Sequence, residues 1–176
     1  CEQTLATRNT ETKDENRYVA LRTVPVIIKL NAKSLVINAL LDDASSGTYI
    51  SEAVVNEFKL NGQDKIISVG VIGGFKRRLD VKEIGVEIGS LDGKVNKRIH
   101  AFAVKTIVGN MKVTNWRRLA FHWHHLKNVD FPPIGSKGSV DMLIGANYPE
   151  LHSSLGEIKG KEREPVARLT PLGWMC

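Results

Sequence analysis

From position 18 to position 104 the chain alternates short apolar runs with turn residues, the pattern of a β-rich domain. Tyr18-Val19-Ala20-Leu21, then Val24, Val26, Ile27 and Ile28, are rich in β-branched side chains and enclose Pro25, which predicts a strand with an edge position or a bend. Asn31-Ala32-Lys33 reads as a turn, and Ser34 to Leu41 as the returning arm of a hairpin that ends on Asp42. Ser51 is a good helix N-cap, with Glu52 in the first turn and Val54, Val55 and Phe58 at helical spacing, so a short helix closing at Asn61-Gly62 is expected. Ile66 to Ile72 reads as a strand, Gly73-Gly74 as a turn, and Phe75 to Gly89 as a second strand in which Val86 and Ile88 alternate with Glu87. Asp92-Gly93 is a hairpin signal leading into a strand from Val95 to Val104.

Beyond Thr106 the rhythm changes. Trp116, Leu119, Ala120, Trp123 and Leu126 recur at helical spacing after Thr114-Asn115, either of which can cap, and Phe131-Pro132-Pro133 ends the run; this predicts an amphipathic helical insertion around 114–127. Val140 to Gly145 reads as a short buried strand, Asn147 to Leu151 as a helical turn, and Val166 to Trp174 as a last strand containing Pro171. Residues 1–17 are polar and lack either period, as a disordered linker does, which leaves 18–176 as one mainly β domain.

The bulk properties fit that division. A chain of 176 residues with 42% apolar and 25% charged residues can bury its own core, and no apolar run approaches the roughly 20 residues of a membrane span, so a soluble protein is expected. Cys1 and Cys176 are the two cysteines, one at each end, which rules out an internal disulfide framework and suits a reducing compartment. The lack of an initiator Met and the stop at Cys176 suggest a segment of a longer polyprotein. A net charge of +6 allows a weak attraction to nucleic acid, but the Lys and Arg residues are dispersed rather than striped.

The chemistry concentrates in Ala39-Leu40-Leu41-Asp42-Asp43-Ala44-Ser45-Ser46-Gly47-Thr48-Tyr49-Ile50. An acid is delivered to the end of a buried strand and followed by small and hydroxyl residues, and a carboxylate so placed needs a partner or a task. Asp42 also has a plain structural reading, as a turn residue whose carboxylate accepts backbone N–H bonds. About thirty residues on, Ile72-Gly73-Gly74-Phe75 forms a hairpin tip, and later comes Leu143-Ile144-Gly145-Ala146-Asn147. His122, His124 and His125 raise the possibility of zinc, but on a helix only His122 and His125 share a face, with no Cys or carboxylate at ligand spacing; no metal and no cofactor are expected.

In order and spacing these three motifs resemble those of the retropepsins, the one-lobed aspartic proteases of retroviruses and retrotransposons. The run from Val140 to Tyr148, the Trp-containing insertion and the ending Pro165 to Trp174 resemble more narrowly the aspartic peptidase domain of Bel/Pao-type LTR retrotransposons, over about residues 18–176. The resemblance implies a retropepsin-like barrel lobe with Asp42 as catalytic acid in a loop continued by Asp43, Ala44, Ser45 and Ser46. It further implies a flap at Ile72, Gly73, Gly74 and Phe75, and a support beneath the loop at Leu143, Ile144 and Gly145. Since the chain holds one such loop, it implies a homodimer sharing an Asp dyad, a polyprotein peptide as substrate, and an intracellular setting in a cytoplasmic retrotransposon particle. Asp43 stands where the family has Thr or Ser, and Ala44 where it has Gly. An ionised Asp accepts hydrogen bonds and donates none, so if Asp43 points as the family residue does, a dimer gathers four carboxylates at one axis and associates best at acid pH. Ser45 and Ser46 either supply the missing donor or are ordinary loop polarity. The alternative to an enzyme is an inactive dimerisation or peptide-binding module on the same fold.

Overall fold

The structure, a computed structural model, describes residues 20–176 apart from 72, 110 and 136. The expected linker at 1–17 and the start of the first strand at Tyr18 and Val19 lie outside the described residues, as does Ile72.

β1 (Thr23–Leu30) and β2 (Lys33–Asp42) form the expected hairpin, in register from Thr23 opposite Leu40 to Leu30 opposite Lys33. The turn at its tip puts Asn31 at a φ of 53°, a left-handed conformation that Asn tolerates better than most residues. β3 (Tyr49–Ser51) runs straight into α1 (Glu52–Phe58), whose first turn is capped by the Ser51 hydroxyl accepting from the Val54 amide. The helix stops at Lys59, which takes a left-handed conformation and sends its amide back to the carbonyls of Asn56 and Val55. β4 (Gly62–Gly70) and β5 (Lys76–Gly89) form a long hairpin, and β6 (Asn96–Val104) returns beside β5. β4 begins and ends earlier than its apolar run suggests, because its pairing with β5 and not its own side chains sets the limits: most of β4 is exposed.

β7 (Val140–Gly145) then enters the middle of the sheet, parallel to β2 and antiparallel to β3. The order β1-β2-β7-β3-β6-β5-β4, with β1 also pairing β5, closes six strands into a mixed barrel and leaves β4 outside it. This mainly β architecture, one barrel with a hairpin extending beyond it, agrees with the retropepsin-like class expected from the sequence. Alternation along β2 sends Ile37, Ala39 and Leu41 into the barrel, where they meet Val86, Ile88, Ile99, Met142 and Ile144, and α1 contributes Val54, Val55 and Phe58 to the same core.

The insertion differs from the sequence expectation. Only α2 (Trp116–Leu119) is α-helical; 3-10 turns follow at Ala120–His122 and His124–Leu126, and Trp123 between them is extended. Asn115 sits at the cap position without making a side-chain cap bond. The aromatic rings account for the break: Trp123 packs on Trp116 at 5.7 Å between ring centroids, Trp116 lies 6.1 Å from Phe131, and His125 reaches the Pro165 carbonyl at 2.8 Å. Tertiary packing of this kind outweighs the modest helix propensity of Trp and His. The last strand is also divided, into β9 (Ala167–Thr170) and β10 (Gly173–Met175), which pair with each other across Pro171-Leu172. Pro171 cannot donate to a ladder, and Thr170 Oγ1 ties the turn by donating to the Gly173 carbonyl at 3.0 Å. A further short strand, β8 (Gly156–Ile158), flanks β9 and has no evident sequence signal.

Candidate active site

Asp42 is the last residue of β2 and stands opposite Gly145, the last residue of β7, in the parallel ladder. Its side chain is half-buried, and its Oδ1 accepts the Ala44 amide at 3.0 Å while its carbonyl accepts the Ser45 amide at 3.2 Å. The loop is therefore a tight turn folded around the carboxylate, with the second carboxylate oxygen left to other partners.

Beneath it lies Gly145. A Cβ on Gly145 would fall 2.7 Å from the Ser45 carbonyl oxygen and 2.8 Å from the Gly47 carbonyl carbon, closer than side chains approach backbone, so only glycine lets the loop rest there. Its φ is not in the left-handed region; the requirement is one of space. Leu143 and Ile144 divide between the two sides of the sheet, Ile144 in the barrel core and Leu143 on the outer side with Leu40.

Several side chains hold the loop, among them Thr48 and His152, to which sequence reasoning gave no role. Thr48, 1% exposed, donates through Oγ1 to Asn147 Oδ1 at 2.8 Å and accepts the Gly145 amide at 3.1 Å. Ser45 donates to the Gly47 carbonyl at 2.9 Å, and its own carbonyl accepts the Ala146 amide at 2.8 Å. His152 Nε2 lies 3.1 Å from the Gly145 carbonyl and, facing an acceptor, must carry the proton there. Thr48 and Asn147 lie 99 positions apart, and nothing local in the sequence reveals that their loops face each other.

Asp43 has a partner within the chain that the sequence did not indicate. In the single chain its carboxylate accepts from Arg22 Nη2 at 3.0 Å, with the two side chains 68% and 37% exposed. The Arg22 guanidinium, by this hydrogen bond first and its charge second, holds Asp43 below the usual carboxylate range. Arg22 is well placed for this because its carbonyl accepts the Leu41 amide at 3.0 Å, which pins it beside the end of β2. Ser45 spends its hydroxyl inside the loop, while Ala44 and Ser46 are exposed.

Leu40, two residues before Asp42 and so on the same face of β2, pairs with Leu143, which also faces Tyr49. Ile107 and Val108 pack on this group, which forms a second buried apolar cluster on the outer side of the sheet. The expected flap is the tip of the β4–β5 hairpin. Gly73 and Gly74 have φ of 96° and 78°, the Val71 amide donates to the Phe75 carbonyl at 2.9 Å, and Phe75 is 73% exposed. Both glycines thus occupy the left-handed region that disfavours side chains.

The histidines of the insertion are separated: His122 stacks on Phe121 at 4.1 Å between centroids, and His125 lies between Glu164 and the Pro165 carbonyl. Among the described residues no group of three or more His, Cys, Asp or Glu could hold a metal ion.

Neither a family model nor a curated protein matches this sequence. Among solved structures the chain is similar to the EIAV protease complexed with the inhibitor HBY-793, with a TM-score of 0.39 and 17% identity over 86% of this chain and 99% of that one.

Proposed function

We propose that this chain is one lobe of an aspartic endopeptidase, of the kind encoded in Bel/Pao-type retrotransposon polyproteins, and that it acts as a homodimer on peptide segments of such a polyprotein. The observation that supports this reading best is the support of Asp42: a half-buried carboxylate at a strand end, on a turn that rests on Gly145 and is tied through Thr48 to Asn147. Such bracing suits a group that must meet a substrate in one position. The chain holds one loop of this kind, so the second acid comes from the Asp42 of a second copy across a two-fold axis.

Two carboxylates in contact cannot both ionise cheaply, and the pair shares one proton, as aspartic-protease dyads do. The ionised Asp42 takes a proton from the water that attacks the peptide carbonyl carbon, while its protonated partner donates to the carbonyl oxygen. Leu40, Leu143 and Ile107 are buried and back the strand ends that carry the acid, and the β4–β5 hairpin covers an extended peptide through main-chain hydrogen bonds.

A second reading, an inactive dimerisation or peptide-binding module, is favoured by two observations: Asp42 Oδ1 is occupied by the Ala44 amide, and Asp43 is engaged by Arg22 within one chain instead of donating across an axis. Peptide-library digestion from acid to neutral pH, alongside sedimentation, separates the readings. The enzyme cleaves in proportion to its dimer fraction and Asp42→Asn abolishes cleavage with the fold intact; an intact dimer that cleaves nothing at any pH is the module. An Asp42→Asn chain that unfolds assigns Asp42 a structural role.

A further inference from the structure

Away from the Asp42 loop, α1 and the root of the β4–β5 hairpin enclose a groove of about 780 Å³, within the size range of ligand pockets. Val55, Leu60 and Ile66 contribute its apolar lining, and Ile66 is 56% exposed. None of residues 42–48 reaches it.

Two features say what would fill it. The first is the edge of β4. The strand pairs with β5 from Gly62 to Gly70 and, among the described residues, with no other strand, so its outer side presents a row of unpaired N–H and C=O groups. A chain of extended conformation is the complement of such an edge, and its alternate side chains would project toward the groove. The second is charge. The protein carries a net +6, yet the groove gathers Glu52, Asp64 and Asp80. Among the described residues none of the three forms a salt bridge, whereas Lys65 at the same groove is taken by Glu83 at 2.6 Å. Lys82, opposite Asp64 in the ladder, balances one of these acids and leaves the lining acidic against a basic molecule.

We propose that this groove is a docking site for a basic, extended peptide segment of another molecule, which adds a strand to the free edge of β4. The alternate side chains that face the groove include both kinds: apolar ones enter between α1 and the hairpin, and Lys or Arg ones lie against Glu52, Asp64 and Asp80. The inference is independent of what Asp42 does. It also gives the hairpin a second control, since a strand added to β4 stiffens one arm of the ribbon whose tip carries Gly73 and Gly74.

The test uses the whole chain bearing Asp42→Asn, so that no cleavage consumes the probe, with its fold matched to the parent by circular dichroism, and a fluorescent peptide repeating valine-serine-lysine-serine, which puts valine and lysine on one face of the strand. Binding is expected, with slowed amide exchange over residues 62–70 and none over 42–48. The same peptide with glutamate in place of lysine should bind at least about tenfold more weakly, and a central proline in the basic peptide should abolish binding because it removes a strand donor. Asp64→Lys with Asp80→Lys, both at exposed positions, should weaken the basic peptide by about tenfold or more. Equal affinity for acidic and basic peptides, unchanged affinity in the double variant, or no binding overturns the proposal. Protection over 42–48 in place of 62–70 overturns it in favour of the Asp42 cleft, and concentration-dependent protection of β4 without peptide overturns it in favour of a second copy.

Discussion

Replacing Gly145 by alanine tests whether the Asp42 loop is held from below. The added methyl carbon would lie 2.7 Å from the Ser45 carbonyl oxygen and closer still to that of Gly47. Carbon and carbonyl oxygen settle at about 3.4 Å, so one backbone or the other must retreat by at least roughly 0.7 Å. Neither side yields freely. The Ser45 carbonyl is bound by the Ala146 amide, the Gly47 carbonyl by the Ser45 hydroxyl, and the Gly145 amide itself by Thr48. Overpacking of this kind costs about 1–3 kcal/mol, and each hydrogen bond stretched out of range adds about 1 kcal/mol. A total loss of about 2–4 kcal/mol in unfolding free energy is therefore expected for Gly145→Ala. If the Asp42 dyad catalyses peptide hydrolysis, a displacement approaching 1 Å should also lower kcat/KM by about a hundredfold. Urea unfolding and peptide cleavage, measured on the same preparations, give the two numbers. A variant within about 0.5 kcal/mol of the parent and equally active would show that the loop does not rest on Gly145, and the bracing argument would fail with it.

Thr48→Val keeps the shape but leaves the buried Gly145 amide without its acceptor, while the exposed Asn147 turns to water, and a loss of about 1–3 kcal/mol is expected from urea unfolding. Arg22→Ala should cost at most about 1 kcal/mol because the pair is largely exposed, and less in high salt. Asp43 is lowered in the fold, so the parent's advantage over Arg22→Ala should be complete above the ordinary Asp range near pH 4 and vanish as pH falls through the lowered value, which stability curves from acid to neutral pH will show. Asp141, buried on β7 with Ser139 as a hydrogen-bond partner, has the opposite sign: burial pushes its carboxyl up. Asp141→Asn should therefore stabilise the neutral protein by on the order of 1 kcal/mol, with the gain absent below about pH 4, where the acid is protonated folded or unfolded, and growing as pH rises through the folded value; a gain that persists at low pH would assign the effect to packing.

The local structure could be read from the sequence to the extent that it depends on neighbours along the chain. Alternation through Ile37, Ala39 and Leu41, the Ser51 cap ahead of Val54 and Val55, and the Gly73-Gly74 and Asp92-Gly93 turns are patterns of a few residues, and they specified the β-rich frame, the short helix and the position of Asp42 at a strand end. What depended on distant residues was invisible. Thr48 meets Asn147 across 99 positions, Asp43 finds Arg22 across 21, and the helical spacing of Trp116 to Leu126 gives way to aromatic packing on Phe131 and to the His125 tie at Pro165. The difference is physical. Turn and cap preferences are free energies of the local backbone, present wherever the residues are, whereas a buried hydroxyl or a surface carboxylate chooses its partner only after the barrel has closed and decided which loops face each other. The tertiary structure alone therefore determined that Thr48 ties the Asp42 loop to Asn147, that Asp43 turns to Arg22, and that β4 is left with an open edge.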